Sequence, residues 1–187
     1  MSLLVDPPFA LGQTLGVSSA SDGTGWVGAV KQFPDVDPTT GQVRSNRVKT
    51  CVAVRNSSGT TLYGKRLVQF VSGSFSAVDQ YTRTTNARPA GVTDEHLPAA
   101  GVASNDVFWV TIDGPTELTV DEAVAVGDLL SANTTADTGG ATNAATGGKA
   151  VTATATEAAV ALGLVGYAVS SAGTADDDAL VFVKLGS

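Results

Sequence analysis

The sequence predicts an all-β protein, a sandwich or small barrel, and three observations carry that expectation. Composition is the first: Gly (21 residues), Val, Thr, Ala and Ser dominate, and only 16% of the 187 residues are charged. Branching at Cβ suits Val and Thr to a pleated surface, while the long helix-forming side chains are scarce. Periodicity is the second, because several short segments alternate in character with period 2. The third is that no apolar stripe at helical spacing lasts beyond about two turns. Short strands at this spacing, with Gly- and Asp-rich turns between them, are the pattern of a sandwich or small barrel.

The elements follow in chain order. Residues 1–46 show no sustained period of 2 or 3.6 and are punctuated by Pro, Gly, Ser and Asp. Leu3, Leu4, Phe9, Leu11, Trp26 and Phe33 are spaced along them like anchors, so this stretch is expected to be an extended arm. It lies over either its own domain or a neighbouring subunit. From residue 47 the pattern sharpens into a domain over 47–187. In "RVKTCVAVR" (47–55), Val48, Thr50, Val52 and Val54 share one face, and Arg47, Lys49, Cys51, Ala53 and Arg55 the other. The turn "NSSG" leads to a second strand over 61–71, with Gly64 as a bulge, and "GSFSAV" reads as a short third. A strand is expected around Val92, then a loop carrying "TDEHLP". "DVFWVTIDG" (106–114) alternates again, "GP" turns the chain, and "TELTV" (116–120) returns it. "VDEAVAVGDLL" (120–130) reads as turn and strand. "ALGLVGYAVS" (161–170) and "ALVFVKL" (179–185) are apolar on both faces, so both are expected to be central strands joined by the polar loop 171–178.

Charge divides the chain. Residues 1–88 hold nine Lys and Arg against five acids, whereas residues 89–187 hold two against thirteen, giving the total of −7. The split suggests two faces with different partners. No basic run interleaves with aromatics, which argues against nucleic acid. The apolar runs are shorter than the roughly 20 residues of a membrane helix, and "MSLLVDPPF" lacks a basic stretch, so neither a membrane nor a secretory signal is expected. The lone Cys51 forms no internal disulfide.

No catalytic arrangement stands out. His96, with Asp94 or Glu95 beside it, offers the elements of a base or metal site, yet three polar residues before a proline read more simply as an exposed loop. "DVDPTTGQ" (35–42) and "ADDDA" (175–179) offer hard oxygens for calcium, with turn chemistry as the plainer account. Trp26, Trp109, Tyr63, Tyr81 and Tyr167 suggest a sugar platform or, more cheaply, core packing and subunit contact. The expectation is therefore no enzyme, cofactor or metal.

The order "RVKTCVAVRNSSGTTLYGKRLVQF", "AGVTDEH", "DVFWVTIDGPTEL", "AVAVGDLLSAN", "GGKAVTA", "LGLVGYAVSSAGTADDDALVFVKL" resembles the capsid decoration, or cement, proteins of tailed bacteriophages over about residues 47–185. The resemblance implies a small β-barrel of the β-tulip type on the outer surface of an icosahedral head. It implies trimers that clamp neighbouring capsid subunits, with the major capsid protein and the chain itself as partners. It does not extend to residues 1–46. The basic edge and the arm are the expected capsid contacts: Trp26, Phe33, Arg44, Arg47, Lys49 and Arg55. The bland stretch at 134–148 is expected to be an exposed loop, having little apolar area to bury. The alternatives are a carbohydrate-binding or adhesion module of a fibre or cell surface, and a β-rich enzyme such as a trimeric nucleotide hydrolase.

Overall fold

A computed structural model describes residues 7, 9–16, 24–71, 73–81, 89–132, 148–153 and 164–185. Within them the protein is all-β and sandwich-like, with one short 3-10 turn at Thr24–Trp26. The strands are β1 (Val30–Val36), β2 (Val43–Asn56), β3 (Leu67–Phe70), β4 (Ala77–Gln80), β5 (Pro89–Thr93), β6 (Val107–Thr119), β7 (Leu129–Ala132), β8 (Ala150–Thr152), β9 (Leu164–Ala168) and β10 (Asp178–Lys184). They hydrogen-bond in the order β1-β2-β4-β3-β5-β6-β10-β9-β7-β8, with a further β2–β6 pairing. The pairings among β2, β6, β5, β3 and β4 form a ring. Two of its joints, β2–β4 and β5–β6, hold only two residue pairs each. The ten-stranded sheet stays open at β1 and β8, so it is not one closed barrel.

β6 is the pivot. Its first half pairs with β2 and its second half with β10, so one strand serves both the ring and the C-terminal wing β10-β9-β7-β8. The sequence reading placed a turn at Gly114–Pro115, but the strand runs straight through. Gly114, at φ +103, sits where β2 crosses closest: a Cβ there would lie 2.5 Å from the Val48 carbonyl oxygen. Pro115, which has no N–H to give, follows it and faces Phe182 across the ladder. The Gly–Pro signal thus marks a close crossing instead of a reversal.

The boundary drawn between residues 46 and 47 falls inside β2. β1 belongs to the sheet, paired antiparallel with β2 from Val30↔Val52 to Val36↔Val43. The "DVDPTTGQ" stretch is their hairpin. Asp37 Oδ1 accepts the Thr39 and Thr40 amides at 2.8 and 2.7 Å, and these bonds hold its carboxyl below the ordinary range. Pro34 and this turn conceal the alternation of β1. The described residues before β1 pack on their own domain. Phe9 stacks on Trp109 at 4.5 Å, Phe33 meets the same ring edge-on at 5.2 Å, and Trp109 Nε1 donates to the Phe9 carbonyl at 3.2 Å. Leu11, Leu15 and Trp26 pack around this cluster.

β2 buries side chains from both of the faces that its alternation separates, Val54 from one and the three residues 49, 51 and 53 from the other. Lys49, Cys51 and Ala53 are buried, while Val48 is half exposed. Small side chains at 51 and 53 make room for Trp109, and Lys49 is drawn inward by a carboxylate. Val54, Val68, Val78, Phe108 and Val110 form a core shared by the strands of the ring. Leu67, Val92, Leu118, Leu130, Val165, Val181 and Val183 form another beneath the wing. Of the expected 61–71 strand only Leu67–Phe70 is regular, and Gly64 precedes it. Residues 134–147 of the expected loop lie outside the described residues, and Gly148 is buried.

Candidate functional site

The loop after β5 carries the densest chemistry, and it is not the exposed loop expected from "TDEHLP". Asp94 and Glu95 are buried. Asp94 Oδ2 accepts the Gly12 amide at 2.5 Å and Oδ1 the His96 amide at 2.9 Å, which ties the N-terminal segment down. Burial pushes the Asp94 carboxyl up. Glu95 takes both its oxygens to Arg44 Nη2 (2.7 and 2.8 Å), pairs with Lys49 Nζ, and accepts the Glu117 amide at 2.9 Å. Burial alone would raise its carboxyl, but Lys49 and Arg44 outweigh that and hold it below the ordinary range. Arg44 also reaches Asp35 at 3.0 Å and Glu117 at 3.1 Å. Lys65 closes the network on Glu117 at 2.6 Å and Asp178 at 2.7 Å. These carboxylates are spent on their own cations. The network bolts β1, β2, the β5–β6 connection, β6 and β10 together at one point. Cys51 lies beside it, its thiol pushed up to about 12 by burial, so it stays protonated.

Arg44 also forms part of a wall. The distal end of the β1–β2 hairpin (Asp35, Arg44, Ser45, Arg47) stands beside the outer face of the wing, and between them runs a groove of about 370 Å³. Its floor is Pro115, Leu180, Phe182 and Tyr167, with Val126 and Val169 at the rim. Register explains the floor. Pro115, Phe182, Tyr167 and Leu129 lie opposite one another across four adjacent strands, one apolar row on the outer face. The Tyr167 and Phe182 rings stack at 5.5 Å, and the Arg47 guanidinium lies 5.0 Å from the Phe182 ring centre. Gly166 allows this contact, since a Cβ there would collide with the Phe182 carbonyl oxygen at 1.9 Å. Nine large apolar residues are exposed among those described, and five of them (Val126, Leu129, Leu164, Tyr167, Val169) lie on or beside this face. The groove does not include Asp94, Glu95 or His96.

The residues anticipated as contacts separate. Arg44 and Arg47 meet at the groove. Phe33 and Lys49 are buried and offer no contact surface, because one fills the Trp109 cluster and the other neutralises Glu95. Trp26 is half-buried on the Trp109 cluster, and Arg55 lies at the far end of β2. The aromatics weighed as a sugar platform do not assemble: Trp109 and Tyr81 are buried, and only Tyr167 lines the groove. Sequence reasoning missed Tyr167, Leu180 and Phe182 as surface. The signal was present, because 161–170 and 179–185 read as apolar on both faces. β9 and β10 are indeed flanked on both sides, but the described chain leaves much of their second face open.

No protein-family model matches the sequence, and no curated protein matches it. Among solved structures, the chain is similar to the head fiber gp8.5 N base of bacteriophage phi29, at 15% identity and a TM-score of 0.43, covering 73% of this chain and 98% of that one.

Proposed function

We propose that this chain is a structural protein of a tailed-phage virion. It docks on the outside of the head shell as three copies and braces neighbouring shell subunits. The single observation that carries this reading is the open apolar face of the wing. A row of Pro115, Phe182, Tyr167 and Leu129 beside a rigid charged wall suits a macromolecular partner. The order of sequence segments that resembles cement proteins supports the same reading. Each contact is modest, and three linked copies bind through effective concentration, with no reaction performed. The test is co-sedimentation of the purified protein with head shells of its own phage stripped of it. Saturable binding in multiples of three copies is expected; a protein left wholly in the supernatant overturns the reading.

A further inference from the structure

One cation at the groove stands apart from the other charges. The charged residues that line it are Asp35, Arg44 and Arg47. Asp35 is 1% exposed and spends both oxygens at home, Oδ1 on Arg44 Nε at 3.0 Å and Oδ2 on the Ser45 hydroxyl at 2.8 Å. Arg44 spends its other nitrogens on Glu95 and Glu117. Asp128, next to the rim, is half-buried and bound into its own turn, where Oδ2 accepts the Ala125 amide at 2.8 Å. Asp113 and Lys184 face each other across the β6–β10 ladder and add no net charge. Arg47 remains: it is exposed and forms no ion pair among the described residues. Its guanidinium lies 5.0 Å from the Phe182 ring centre, beside the Tyr167–Phe182 stack. A guanidinium packed against a ring is pre-organised and keeps its N–H fork for a carboxylate. A segment that fills the groove therefore needs an apolar side chain for the floor and an acid beside it for Arg47.

The described surface of a second copy does not supply such a segment. Four of the nine exposed large apolar residues lie off the wing: Val30, Val43, Val48 and Phe75. None of the four has Asp or Glu as a chain neighbour. Lys31 follows Val30, Arg44 follows Val43, and Arg47 and Lys49 flank Val48, so each of these three would bring a cation toward Arg47. Phe75 stands between two serines, on a turn whose Ser76 carbonyl accepts the Arg55 amide at 2.9 Å. That end of the molecule carries Arg55 as well as Asp79 and Asp106, so charge does not select it. On the wing itself, Leu129 follows Asp128, whose carboxylate is held in its own turn.

We infer that the groove takes a segment of a shell subunit in which an acidic side chain flanks an apolar one, the apolar group lying on Tyr167 and Phe182 and the carboxylate pairing with Arg47. This inference rests on the proposed function for its partner and names the chemistry of that same contact. Co-sedimentation of the full chain with stripped head shells, in low and in raised salt, tests it. Arg47→Gln is expected to weaken docking at least roughly tenfold, the effect of losing one charge-assisted pair. Arg47→Glu is expected to weaken it further, and both variants to flatten the salt dependence that wild type shows. Arg55→Gln removes the same unit of charge from the far end of β2 and is expected to dock as wild type does. Melting curves establish that each variant is folded. If Arg47→Gln is not, Arg47→Lys replaces it: a lysine keeps the charge but loses the fork, so intermediate docking is expected and docking at wild-type strength overturns the inference. Arg47→Gln that docks as tightly as wild type, or a loss that Arg55→Gln shares equally, overturns the inference and leaves shell docking standing. A wild type that fails to dock removes both. Sedimentation velocity on the free proteins covers the other occupant: self-association of wild type that Arg47→Glu abolishes gives the groove to a second copy and overturns the inference.

Discussion

Glu95→Gln removes the charge at the centre of the buried network while keeping its shape. In the native protein the carboxylate neutralises Lys49, which is 1% exposed, and accepts two hydrogen bonds from Arg44 and one from the Glu117 amide. A glutamine has one acceptor oxygen, and its NH₂ turns two protons toward these cations. Arg44 retains Asp35 and Glu117, but Lys49 is left buried without a counter-ion. Breaking a buried pair from one side costs about 3–5 kcal/mol. For a chain of this size that corresponds to a fall of roughly 6–20 °C in melting temperature. Urea unfolding followed by tryptophan fluorescence measures it. The pH dependence follows from the lowered Glu95 pKa, whose ordinary value is 4.5. A depressed carboxyl contributes stability that is complete above 4.5 and is lost as pH falls through the folded-state value. The difference between wild type and Glu95→Gln is therefore greatest at neutral pH and shrinks in acid. Asp94, raised by burial, shifts stability in the opposite sense, is common to both proteins and cancels in the difference. The double variant Lys49→Met/Glu95→Leu is expected to recover part of the loss: it removes both buried charges together, but Arg44 and the Glu117 amide lose the acceptor they shared. A Glu95→Gln protein within about 1 kcal/mol of wild type at neutral pH would refute the reasoning, since that is the range of an exposed pair.

Other outcomes follow from the same geometry. Gly114→Ala brings a Cβ to 2.5 Å from the Val48 carbonyl at φ +103, so a loss of about 1–3 kcal/mol is expected in chemical denaturation; an unchanged midpoint contradicts the crossing of β2 over β6. Cys51, buried and with its thiol pushed up to about 12, should resist thiol reagents at pH 8 until the protein unfolds; rapid labelling of the native protein would show that this layer opens. Deleting residues 1–40 removes Phe9, Phe33 and β1, uncovering Trp109, and the remainder is expected to unfold or aggregate, with red-shifted tryptophan emission; a truncated protein with native emission would return these residues to the status of a detachable arm.

Much of the fold was legible in the sequence because period 2 was strong where one face was buried. β10 and the first half of β6 were read within a residue or two of their bounds. The failures share a cause. At Gly114–Pro115 and in β1, residues that locally signal turns are used for a close crossing and an edge pairing. On β2 a lysine is buried among small side chains, because Lys49 is neutralised by Glu95, a residue 46 positions away that no local pattern connects to it. The groove was half legible. Arg44 and Arg47 were singled out for charge, but Tyr167 and Phe182 looked like core because a strand apolar on both faces normally has both covered. What distinguishes this pair of strands is a second face that the described chain leaves open, and only the packing shows it.

The central claim is that this face is covered when the protein works. Val126→Cys places a reactive thiol on the groove rim, at a position 68% exposed, while Cys51 stays silent in the interior. Maleimide labelling compares the dilute free protein with the same variant bound to stripped head shells. The thiol at position 126 should label quickly in the free protein and be protected in the bound one. Equal labelling in both states would contradict the claim.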